Sequence, residues 1–204
     1  MNIVTRFLKR KFRKHGVIQP EDEAEELIVA ATASAFDMFT DKTFRRLIDF
    51  SKKDELEQNR IFNELTVTAI ALLTMCLEDD LPRMPTERRE FWRQVYEKLE
   101  PQFHGWLARL EIPKPFLDLW KEVLKMRLDE FKENEDETRD VWVEELRQSK
   151  NEALNQATVR IGTITVSAMM HLCRRDDSCE NRLRDYFKMR VVGLNNKIVK
   201  SISW

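Results

Sequence analysis

Apolar residues in this chain recur every three or four positions, the spacing that lines one face of an α-helix. Ala24, Leu27, Ile28, Ala31, Ala35, Met38 and Phe39 predict a helix over residues 20 to 39, with Pro20 suited to its first turn. Phe44, Leu47, Ile48 and Phe50 predict a shorter piece over 41 to 53. Asp54 and Glu57 form a capping-box pair, and the helix they open runs through Ile61, Leu65, Ala69, Leu72, Leu73 and Cys76 to Asp80. After Asn63 and Glu64 it is apolar almost all round, the pattern of a helix at the centre of a bundle.

Pro82 and Pro85 end that run, and Thr86 begins a helix carrying Phe91, Val95 and Leu99, which Pro101 is expected to kink or break before Phe103, Trp106, Leu107 and Leu110. After Pro113 and Pro115, Phe116, Leu119, Trp120, Val123, Leu124, Leu128 and Phe131 open a long helix. The acidic stretch from Asp129 to Asp140 has neither Gly nor Pro, so the helix is expected to continue through it. Ser149 and Glu152 read as a second capping box before Leu154, Ala157, Ile161, Ile164, Ala168 and Leu172. Residues 158 to 166 also alternate, and a small hairpin turning at Gly162 and Thr163 is the rival reading. Leu183, Phe187, Val191, Leu194, Ile198 and Ile202 make the last helix, from Ser178. The expected fold is an all-α, single-domain helical bundle of about seven or eight helices with two near-fully apolar central helices, over residues 16–204.

Composition agrees with this picture: 35% of the 204 residues are charged and only four are Gly. The apolar stretches Leu65 to Leu77 and Ile161 to Cys173 are each thirteen residues. A membrane span needs ~20, so both read as core helices and no transmembrane segment is expected. Three cysteines, with no apolar run after the basic start, suggest free thiols in a reducing, cytoplasmic compartment.

Candidate chemistry is sparse. Gly16, Gly105, Gly162 and Gly193 are never closer than 31 residues, which excludes glycine-rich phosphate loops. Neither His104 nor His171 has a Glu three residues before it, as a helical di-iron site requires. His171, Cys173 and Cys179 lack both a usual zinc spacing and a fourth ligand, so no metal and no cofactor is expected. Glu64 stands among apolar residues either as an acid–base group or paired with Arg60 one turn earlier. Trp92, Trp106 and Trp120, with neighbouring Phe residues, suit a core better than a ligand site. Glu64, His104, Trp106 and Trp120 are the weak candidates for a pocket, and no residue is assigned a catalytic role.

Charge changes the picture at one place. Residues 1–15 form a basic amphipathic arm, with six cations and no acid in its first fourteen positions. Setting those six aside leaves 29 basic against 36 acidic residues. On a helix, Ile3, Val4, Phe7, Leu8 and Phe12 share a face opposed by Arg6, Lys9, Arg10 and Arg13, while Lys11 and Lys14 intrude on the apolar stripe. Arg6, Phe7, Leu8, Lys9, Arg10, Phe12 and Arg13 are the expected contact residues. Their first expected seat is the acidic body itself, at Glu21 to Glu26 or Asp129 to Glu145, or else a second subunit or protein partner. An anionic membrane surface, with the protein peripheral to it, is the second. An acidic body disfavours nucleic acid. A non-catalytic interaction or regulatory protein is thus the leading expectation. A membrane-surface binder, and an enzyme or small-ligand binder with a pocket among the aromatics, are the alternatives.

Overall fold

The computed structural model describes residues 18–202, and the seven contact residues expected in the arm lie outside them. Eight α-helices and no strand are found among the described residues: α1 Pro20–Thr40, α2 Lys42–Leu47, α3 Glu55–Asp80, α4 Thr86–Arg109, α5 Lys114–Val141, α6 Val143–Gln148, α7 Glu152–Cys173 and α8 Asp177–Ile202. Short 3-10 turns at Phe50–Lys52 and Leu81–Arg83 join the helices on either side of them.

α3 is the axis of the bundle and packs against α1, α4, α5, α7 and α8. Its start is fixed by Asp54, whose carboxylate accepts the Glu57 N–H at 2.8 Å. From Leu65 to Leu77 every residue but Thr74 is buried, which is what an all-round apolar sequence needs. It is the one described helix long and apolar enough to cross a membrane, with a window of mean hydropathy 1.5, and 72% of that window is buried inside this bundle. α7 is the second central helix. It runs antiparallel to α3, since Arg160 meets Asp79 at one end and Arg60 reaches the His171 carbonyl at the other. Its buried face mixes Val159, Ile164, Ala168 and Leu172 with Arg160, Thr163, Thr165 and Ser167.

Residues 158 to 166 lie within α7, so the hairpin alternative is set aside in favour of the helix. The second capping pair needs correcting, because the N-cap is Asn151, accepting from the Leu154 N–H at 3.1 Å, while Ser149 accepts from Asn151 itself. Pro101 neither ends nor splits α4; it sits on the exposed side, where the carbonyl that loses its helical donor meets water. α5 continues through the acidic stretch as one helix of 28 residues. Gly162 is a point of close approach: a Cβ there would come within 3.1 Å of the Thr138 methyl on α5.

Packing around α3 yields a contrast in stability. Leu73, 0% exposed, is expected to cost about 2–5 kcal/mol on Leu73→Ala. Val166, 55% exposed on α7, is expected to change stability by less than about 0.5 kcal/mol on Val166→Ser. Urea unfolding of the two variants checks both.

Candidate functional site

The four pocket candidates do not converge on a cavity. Trp106 stacks on Phe103 at 6.1 Å and Trp120 meets the same ring edge-on at 5.8 Å, so both belong to an aromatic cluster between α4 and α5. His104 lies beside that cluster with its Nε2 unpartnered, and burial together with Lys121 pulls its pKa down. Glu64 is held elsewhere: Arg127 of α5 donates to both its carboxylate oxygens, at 2.8 and 3.1 Å. The expected Arg60 partner is therefore a correction. Arg60 pairs with Glu57 at 2.7 and 2.9 Å and donates to the carbonyls of His171 and Leu172 near the end of α7. Arg127 also meets Glu130 at 3.2 Å, whose carboxylate lies 2.7 Å from His171 Nε2. Each of these groups is occupied in tying helices together.

Nor do the sulfurs form a metal site, and no cluster of three or more His, Cys, Asp or Glu suited to a metal occurs among the described residues. Cys173 and Cys179 are bonded to each other, which corrects the expectation of free thiols. Arg174 and Arg175 adopt left-handed backbone between α7 and α8, and this tight reversal brings the two Cα atoms to 5.6 Å. Cys76 remains free and buried, and burial pushes its thiol up to about 12.

Periodicity gave no warning of the largest polar cluster. Arg160 is 1% exposed and forms an ion pair with Asp79 of α3. Its Nε and Nη2 donate to the Asn195 side-chain oxygen of α8 at 3.2 and 2.9 Å, and Cys76 Sγ approaches the same oxygen at 3.3 Å. Gln156 donates to Asp79 and to Glu135 of α5, both at 2.9 Å, and Arg139 closes the chain on Glu135 at 3.2 Å. Burial and the Asp79 charge hold Glu135 above the usual carboxylate range, and burial does the same to Asp80. Every member has a protein partner, so the cluster reads as a polar lock on four helices.

Two open surfaces stand out among the described residues. A groove of about 290 Å³ runs between α1 and α8 over α3, with Leu65, Ala69 and Leu72 in its floor and Asp37, Arg190 and Lys197 among its lining. On α5, Phe116, Leu119 and Met126 are 56%, 52% and 54% exposed, and with half-buried Val123 they recur every three or four residues. Asp118, Glu122, Asp129 and Glu133 border this stripe and are exposed; Asp129 acts on Lys132 through its charge, and the other three have no ion-pair partner among the described residues. No protein family, no curated protein and no solved structure matches this chain.

The polar lock carries two expectations. Asp79→Leu strands the Arg160 charge and is expected to cost about 3–5 kcal/mol, whereas adding Arg160→Met recovers most of the loss, as measured by urea unfolding. Glu135 has a raised pKa in the folded state, so its contribution is full below the unfolded value of ~4 and is lost as pH rises through the folded one. Glu135→Gln is expected to lose less stability than the parent between pH 4 and 7 in the same assay.

Proposed function

We propose that this chain is a non-catalytic interaction protein, which offers the α5 stripe to a protein partner and keeps its basic segment, residues 1–14, docked on its own acidic surface. The observation that carries the reading is the stripe itself. Large apolar side chains on an exposed helix face, rimmed by polar groups, are the usual mark of a protein contact. The exposed carboxylates of Asp118, Glu122 and Glu133 beside it, without an ion-pair partner among the described residues, suit an amphipathic helix bearing Lys or Arg along its edge. Self-docking of the arm is supported by charge, since Asp22 and Glu26 on α1 are likewise exposed and without an ion-pair partner among the described residues.

The enzyme reading has less support. His104, Trp106, Trp120 and Glu64 serve packing and helix pairing, and none lines the groove.

A photo-crosslinking residue tests the stripe in the producing cell. Placed at Leu119, it is expected to give a discrete protein adduct that Met126→Glu abolishes; placed at Lys125, exposed six residues on and on the other side of the acids, it gives none. Equal adducts from both positions, or none from Leu119, overturn the reading.

A further inference from the structure

The groove between α1 and α8 is small. Its volume of about 290 Å³ sits at the low end of the ~300–1,000 Å³ typical of ligand sites, which suits one metabolite and excludes a long acyl chain. Ala69 and Leu72 give its floor an apolar centre, and Gly193 opens the α8 wall. Glycine weakens a helix at such a central position. A Cβ added there meets nothing within 4 Å, so no packing contact among the described residues requires it, and the bare backbone widens the groove.

Helix register makes one end of the groove polar. α3 and α8 run parallel, each being antiparallel to α7, and Cys76 meets Asn195 between them. Eight residues earlier on both helices, Thr68 comes level with Phe187, one turn before Arg190. Thr68 is 6% exposed, and what exposure it keeps is to the groove it lines. Thr66 and Thr74 bond back to carbonyls four residues earlier, whereas the Thr68 hydroxyl has no partner among the described residues. A hydroxyl so buried costs stability until something bonds to it. Asp41, just past α1, is held below the usual carboxylate range by the Phe44 N–H and in smaller part by the Arg190 charge, so Arg190 lies near the end of α1. Asp37, one turn before Asp41, lines the groove with it.

A guanidinium, a carboxylate and an open hydroxyl beside an apolar floor narrow the choice of ligand. Arg190 suits a carboxylate, Asp37 suits an ammonium, and Thr68 can donate or accept. A phosphate on Arg190 is opposed by Asp37 and Asp41, and a simple amine on Asp37 is opposed by Arg190 and Lys197. An α-amino acid carries both charges on one carbon, and an apolar side chain fills the rest. We propose that the groove binds a free α-amino acid with a large apolar side chain, its carboxylate on Arg190, its ammonium on Asp37, its head group bonded to Thr68 and its side chain over Ala69 and Leu72 beside Gly193. The site goes beyond the α5 reading and stands apart from it.

Titration of the full isotope-labelled chain with L-leucine, L-methionine and L-phenylalanine tests it, read by NMR from the backbone amides of Thr68 and Gly193. Both amides are expected to shift saturably with at least one of the three. For L-leucine, isocaproate lacks the ammonium and isoamylamine lacks the carboxylate, and each is expected to bind at least about tenfold more weakly. Asp37→Asn and Arg190→Gln are each expected to weaken the amino acid at least about tenfold. Gly193→Leu fills the groove from a position with open space and favours the helix, so it is expected to abolish binding while urea unfolding shows a fold at least as stable as the parent. Binding that survives Gly193→Leu, or that shifts only amides outside the groove, overturns the seat. Isocaproate bound as tightly as L-leucine overturns the amino-acid assignment in favour of a simple carboxylate. No saturation by any of the three up to ~10 mM overturns the proposal outright.

Discussion

A guanidinium withdrawn from water must find partners for its donors within the fold, and Arg160 meets that demand by drawing two other helices against α7. Asp79 comes from α3 and Asn195 from α8, and through Gln156 the cluster extends to Glu135 and Arg139 on α5. Apolar burial is non-directional and would accept these helices in several rotations. Hydrogen bonds are directional, and this set is satisfied in the arrangement the bundle adopts. At the other end of α3 a second group, Glu64 with Arg127 and Arg60 with the α7 carbonyls, fixes α5 and α7 to α3 again. The apolar core supplies cohesion, and the two polar clusters set register.

The helices were largely legible because each buries a face of period 3.6, and α3 reads as central from Leu65 onwards. The errors lie where a residue's partner is distant in sequence. Glu64 has an arginine one turn away, and the one that holds it is 63 residues on. Arg160 sits in a stretch whose alternation mimicked a strand, and only packing shows its carboxylate partner, 81 residues earlier. The Cys173–Cys179 bond had a local signal, two cysteines flanking the Asp176–Asp177 break, but the left-handed pair Arg174 and Arg175 that closes the turn has no glycine to announce it. Of the candidate sites, the basic arm was plain in composition. The groove and the stripe were not, since exposed and buried apolar residues share one helical period.

The two open surfaces arise in different ways. α1 and α8 diverge over the middle of α3 and leave the groove. The C-terminal half of α5 is covered by α7, whose last turn lies beside Glu130, so the first three turns of α5 stand clear on that side. Residue choice there is consistent with the exposure: Phe116, Leu119 and Met126 lie at the margin of the face that buries Trp120, Leu124 and Phe131.

The acids along α5 also determine what the stripe refuses. Two copies packed stripe to stripe with antiparallel α5 helices, across a twofold axis perpendicular to them, would set the Asp118, Glu122, Asp129 and Glu133 border of one against the same border of the other. Like charges brought so close oppose the apolar gain of pairing. On the reading proposed above, the same carboxylates that suit a cationic partner would oppose the pairing of like copies through this face.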